Sequence, residues 1–138
     1  MNTKNDKEIL VSIVEAMARS TSGTESTKHW ANDALWFDIP AFASRGIQPA
    51  IKELDLTFNN LKSCEISIQQ IDSYISTELG IVCTIQKAEV VLTNDVNKTF
   101  LFRQTDCFKK DENNKWLLIH QHTSVPNSGD WDGKIVTE

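Results

Sequence analysis

A handful of residues in this chain could move a proton or grip a polar ligand. The stretch Trp116-Leu117-Leu118-Ile119-His120-Gln121-His122-Thr123-Ser124-Val125-Pro126 holds two of the three histidines, two positions apart. On a strand that spacing puts both imidazoles on one face, with Ser124 continuing it. Imidazole changes charge near neutral pH and so suits general acid or base work. Arg103 and Thr105 show the same alternation upstream, and a guanidinium can bind an anionic or carbonyl oxygen. A four-residue turn at Asp111 to Asn114 pairs Lys110 with Lys115, which sets Thr105 opposite His120 and Arg103 opposite His122 as one polar patch. A longer turn or a bulge near Lys109 would instead bring Gln121 and Thr123 beside Arg103. The plainer reading makes the histidines hydrogen-bonded core or interface residues and pairs Arg103 with Asp106.

Asp38 is the second candidate. It follows Trp36 and Phe37 and precedes Ile39, so partial desolvation could raise its pKa toward that of a useful general base; as a structural residue it would serve a turn or cap. Trp36 supplies aromatic wall beside it, and Trp30, with His29, could roof the same pocket. The expected site therefore has Asp38, His120 and His122 as catalytic groups and Arg103, Thr105, Trp36, Trp30 and Ser124 as ligand-binding ones. No glycine-rich phosphate loop is present, and His120 and His122 lack an evident third ligand, so neither a metal nor a cofactor is expected.

These groups need a sheet and a cover. Thr3 and Asp6 have capping-box spacing, and Ile9, Leu10, Ile13, Val14 and Met17 follow at helical intervals until Ser20-Thr21-Ser22-Gly23 interrupts them. A short second helix from Thr24 or Ser26 is expected to carry His29 and Trp30. Leu35 to Ile39 reads as a strand ended by Pro40, and Phe42 to Gly46 as a loop. A third helix from Pro49 to about Lys62 buries Ile51, Leu54, Phe58 and Leu61. The period then changes to two, giving strands over 64 to 75, 79 to 92, 99 to 109 and 115 to 125 as an antiparallel meander. Apolar parity switches inside the first two of these, which predicts a bulge in each. A dozen residues extend roughly 40 Å, so strands of this length must curl. The expectation is an α+β fold, a cone-shaped curved antiparallel sheet whose concave face is covered by three N-terminal helices. Its convex face would also be apolar and would bury itself in a homodimer.

The 138 residues suit a single domain over 1–138, with a polar tail from about 127. A net charge of -5 with interspersed signs offers no track for a phosphate backbone, so nucleic acid is not an expected partner. Cys64, Cys83 and Cys107 show no metal-ligand spacing and read as small apolar residues. With no signal-like or membrane-spanning apolar run, a reducing cytoplasm is expected.

Taken in order, His29-Trp30-Ala31-Asn32-Asp33-Ala34, Phe37-Asp38-Ile39-Pro40, Arg45-Gly46, Arg103-Gln104-Thr105-Asp106 and Trp116 to Pro126 resemble the SnoaL-like branch of the nuclear-transport-factor-like superfamily. The likeness covers nearly the whole chain, and its most specific parts are Arg-x-Thr and the final Trp-x-x-x-His-x-His-x-Ser-x-Pro. It implies a usually dimeric cone with a ligand cavity between helices and sheet. Relatives include polyketide cyclases, ketosteroid isomerase and a calcium/calmodulin-dependent kinase association domain, so the fold does not fix the activity. Asp38 falls where the proton-transfer aspartate of the isomerase would sit. The oxyanion-hole tyrosine of that enzyme's first helix has no counterpart, because residues 6 to 20 contain none and Tyr74 lies on a strand. The reading is a small-molecule pocket protein, a proton-transfer isomerase or cyclase acting on a carbonyl compound. The alternative is a non-catalytic association or ligand-sensing module.

Overall fold

The structure, a computed structural model, describes residues 3–39, 43–127 and 129. Helix α1 spans Thr3–Ala18 and buries Leu10, Ile13 and Val14, the stripe its periodicity predicts. The capping-box expectation falls on Thr3, whose side chain lies outside the described residues. The carboxylate of Asp6 is buried against the last hairpin, where it accepts from Trp116 Nε1 at 3.1 Å and from Lys110 Nζ at 3.4 Å. The ammonium also lies 5.0 Å from the centroid of the Trp116 ring. This buried pair ties the first helix to the end of the chain.

Helix α2 is a single turn, Gly23–Ser26, capped by Ser22, whose hydroxyl accepts from the Glu25 amide at 3.1 Å. A Cβ on Gly23 would sit 2.5 Å from the Ile51 carbonyl oxygen, so only glycine lets this turn lie so close to the next helix. The expected second helix thus ends before His29 and Trp30. Trp30 instead opens strand β1, Trp30–Phe37, whose register shifts between Trp30 and Leu35. That irregularity hides the two-residue period, and burial of Trp30, Ala34 and Trp36 outweighs local helix propensity. Pro40 and Phe42 lie outside the described residues. After the two-residue β2, Ser44–Arg45, helix α3 spans Ile47–Asn59 and stops short of the expected Lys62.

Strands β3 (Leu61–Ile75), β4 (Leu79–Leu92), β5 (Asn97–Lys110) and β6 (Trp116–Ser124) form the expected meander. The sheet order is β2-β1-β6-β5-β4-β3, with β1 parallel to β6. The curved sheet is therefore mixed rather than wholly antiparallel. A bulge interrupts β3 between Ile68 and Gln70, where its apolar residues change parity. In β4 no bulge occurs against β5: the parity change arises because Ile81 and Ile85 point outward, 40% and 37% exposed, while Val82, Thr84, Gln86 and Ala88 stay buried. The helices cover the concave face, where Leu10, Val14, Trp36, Val82, Phe108 and Leu118 form the centre of the core. The convex face leaves Tyr74, Leu79, Ile81 and Ile85 exposed. Among the described residues no helix is long and apolar enough to cross a membrane.

Candidate functional site

Between α1, α3 and the concave sheet lies a cavity of about 650 Å³. Apolar side chains dominate its wall, among them Met17 from α1, Leu54 and Phe58 from α3, and Ile66, Val90 and Phe102 from the sheet. Among the described residues only two charged side chains line it, Asp38 and Lys98. A volume of this size with few polar groups is typical of small-molecule sites.

Asp38 sits just past the end of β1. Burial raises its pKa above the ordinary 3.8, opposed by a hydrogen bond from the Ile39 backbone. Trp30 and Trp36 precede it on that strand and also line the cavity, packed edge to face with centroids 5.9 Å apart. Both indole Nε1 donors are buried and have no partner among the described residues, a state that costs about 1–3 kcal/mol for each group.

The inner face of β4, β5 and β6 carries a polar cluster that sequence reasoning did not single out. Asp106, fully buried, accepts from Gln121 Nε2 at 2.8 Å and from Gln104 Nε2 at 2.9 Å. Thr123 Oγ1 donates to Gln104 Oε1 at 3.2 Å, and Gln86 Nε2 donates to Thr84 Oγ1 at 2.8 Å. Burial pushes the Asp106 carboxyl up to about 6, against the two amide hydrogen bonds, which favour its charged form. Gln86, Gln104, Gln121 and Thr123 line the cavity, so these amides form a polar floor in an otherwise apolar chamber. The available signal was the alternation Phe102, Gln104, Asp106, Phe108, whose apolar ends mark that parity as inward.

The histidine face lies on the opposite side. Trp116 and Leu118 point inward, but a bulge at Ile119 breaks the ladder, with Phe108 opposite Leu118 and Cys107 opposite His120. Past the bulge the inward parity passes to Gln121 and Thr123, and His120 and His122 turn outward. The turn and the bulge together slide the register by two residues: Thr105 lies opposite His122, not His120, and Arg103 opposite Ser124, not His122. Arg103, Thr105, His120, His122 and Ser124 therefore share the convex face, and none lines the large cavity. The expectation that this face of the last strand walls the pocket is corrected. His120 Nδ1 donates to the Leu35 carbonyl at 2.8 Å, which fixes its tautomer. Phe37 packs edge-on to both rings, 5.1 Å from His120 and 5.4 Å from His122. Arg103 and Thr105 border a shallow groove of about 190 Å³ with Gln70 and Asp72, and the possible Arg103 to Asp106 pairing is ruled out by their opposite faces. His29 lies in the turn before β1, and its pKa is lowered by burial and by Lys28 and Lys115. Among the described residues no cluster of three or more His, Cys, Asp or Glu could hold a metal ion.

No family model matches the sequence, and no curated protein matches it. Solved structures do match. A nuclear transport factor 2-like superfamily protein from Salmonella enterica superposes with a TM-score of 0.83 at 15% identity, covering 96% of this chain and 99% of that one. An NTF2-like protein of unknown function from Pseudomonas putida gives 0.78 at 17% identity, covering 94% and 92%. A hexachlorocyclohexane dehydrochlorinase from Novosphingobium barchaimii gives 0.78 at 8% identity, covering 88% and 87%. At such identities the likeness establishes a shared fold.

Proposed function

We propose that this chain, which has the cone fold of the NTF2-like proteins, binds a small apolar carbonyl compound in its concave cavity and that Asp38 removes a proton beside the carbonyl, as in an isomerase or cyclase. The observation that carries this reading is a desolvated carboxylate in the wall of a 650 Å³ apolar chamber. Burial that raises a carboxyl pKa makes its anion a stronger base. Trp36 and Trp30 would hold a flat substrate against that base, and their unpartnered indole N–H groups would gain from a small shift that brought them to the substrate oxygen. The superposed dehydrochlorinase is named for an elimination, a reaction class that also removes a proton from carbon. His120 and His122 have no part in this chemistry, since the sheet separates them from the cavity.

The exposed Tyr74, Leu79, Ile81 and Ile85 support a second role for the convex face, burial against another copy of the chain. Phe37, His120 and His122 would then lie at or near that interface. Three free thiols suit a reducing compartment. A thermal-shift screen with cyclic ketones tests the binding reading: a ligand at 100 times its Kd adds about 2.7 kcal/mol and raises Tm by several degrees. Absence of any shift across ketones that fit the chamber would refute it.

A further inference from the structure

The polar floor has a directional preference that the general reading of the cavity does not contain. Gln121 spends its amide nitrogen on protein acceptors, Asp106 Oδ1 at 2.8 Å and Met17 Sδ at 3.9 Å. Gln86 turns its nitrogen to Thr84 Oγ1. Among the described residues neither carbonyl oxygen has a donor, although Gln86 is only 2% and Gln121 only 8% exposed and both line the cavity. Asp106 enforces this arrangement, because an ionised carboxylate accepts hydrogen bonds and cannot donate. With the carboxylate below, rotating the Gln121 amide would set oxygen against oxygen. The floor therefore offers acceptors to whatever fills the chamber.

We propose that Gln121, oriented by Asp106 and assisted by Gln86, selects ligands with a hydroxyl or N–H donor at the end of an apolar body that reaches the sheet. This rests on the reading that the cavity takes a small apolar carbonyl compound, and it narrows the substrate class to carbonyl compounds that also carry a hydroxyl or amino group. Asp106 is a positioning residue here: it accepts from Gln121 and Gln104 and acts on a ligand through Gln121. An ether or hydrocarbon of the same shape would displace water from the two oxygens and return nothing to them, a loss of at least about tenfold in affinity.

Calorimetric titration with 2-naphthol, 2-methoxynaphthalene and naphthalene tests the selection. The parent protein should bind 2-naphthol at least tenfold more tightly than the ether. Gln121→Leu should bind naphthalene as the parent does and lose most of the preference for the naphthol. Asp106→Asn should narrow the preference, because a side-chain amide at 106 can donate to Gln121 Oε1 and free the Gln121 nitrogen to face the ligand. Gln86→Leu, which leaves the Asp106 cluster intact, should reduce the preference and serves where Gln121→Leu does not fold. Equal parent affinity for naphthol and ether would overturn the proposal, as would an undiminished preference in both leucine variants. Naphthalene binding with no discrimination sinks the donor selection and spares the cavity reading. Failure of all three probes to bind also overturns the donor selection, while the carbonyl reading is decided separately by the ketone screen.

Discussion

Asp106 supplies a sharp physical test because its burial leaves a signature in stability against pH. Its carboxyl stands at about 6 in the fold against an ordinary 3.8. Because the folded value is the higher one, the native state binds more protons than the unfolded state between those limits, and stability must fall as pH rises through them. At about 1.36 kcal/mol per pH unit the loss is roughly 3 kcal/mol. This contribution is fully present below pH 3.8 and gone once pH passes about 6. No ion pair to Asp106 occurs among the described residues to offset it. Urea denaturation of the parent and of Asp106→Asn at steps from pH 4 to pH 8 isolates the effect, since other groups titrate alike in both proteins. The stability difference, parent minus variant, should decline by roughly 2 to 3 kcal/mol across the range, most of it below pH 6.5. A flat difference would show that Asp106 is not desolvated as the fold implies, and a rising one would mean an unrecognised cation holds it ionised.

The Asp6 to Lys110 contact is also buried, so Asp6→Leu takes one carboxylate acceptor from the Lys110 ammonium and from the Trp116 N–H and should cost about 3 kcal/mol in denaturation. Lys110→Met in the same background should return part of that loss, and full additivity of the two changes would contradict the pairing. If the convex face joins two copies, sedimentation should find the parent dimeric and Ile81→Glu monomeric, whereas a parent that stays monomeric at high concentration refutes that use of the face.

The sequence showed the architecture more clearly than the site. Four strands of period two and the stripe Leu10, Ile13, Val14 are strong local patterns, and the covered, curled sheet follows from them. β1 was only half visible because its pairing partner, β6, lies some 80 residues away and its register breaks between Trp30 and Leu35. A helix carrying Trp30 was the natural local reading, and parallel pairing overrode it. Asp38, Trp36 and Trp30 are expected from composition and spacing to share a pocket wall, and all three line the cavity. The histidine face was misplaced by one bulge: at a side-chain period of two, a single extra residue at Ile119 exchanges His120 and His122 for Gln121 and Thr123. Such a bulge has no proline, glycine or composition change to announce it. The amide and carboxylate floor was overlooked for a different reason, since glutamines between phenylalanines look like routine solvent-facing alternation until the opposite face is known.

Proton removal by Asp38 is tested most directly by following hydrogen–deuterium exchange at the α-carbon of 1-indanone by NMR in D2O, with the parent protein and with Asp38→Asn. The parent should accelerate exchange above the buffer rate, and the variant should lose about 100-fold or more of that acceleration while still binding the ketone. The acid limb of the parent's rate profile should lie above the ordinary aspartate value of 3.8, in the direction that burial shifts Asp38. Equal exchange by parent and variant, with the ketone bound in both, would contradict the assignment of Asp38 as the base.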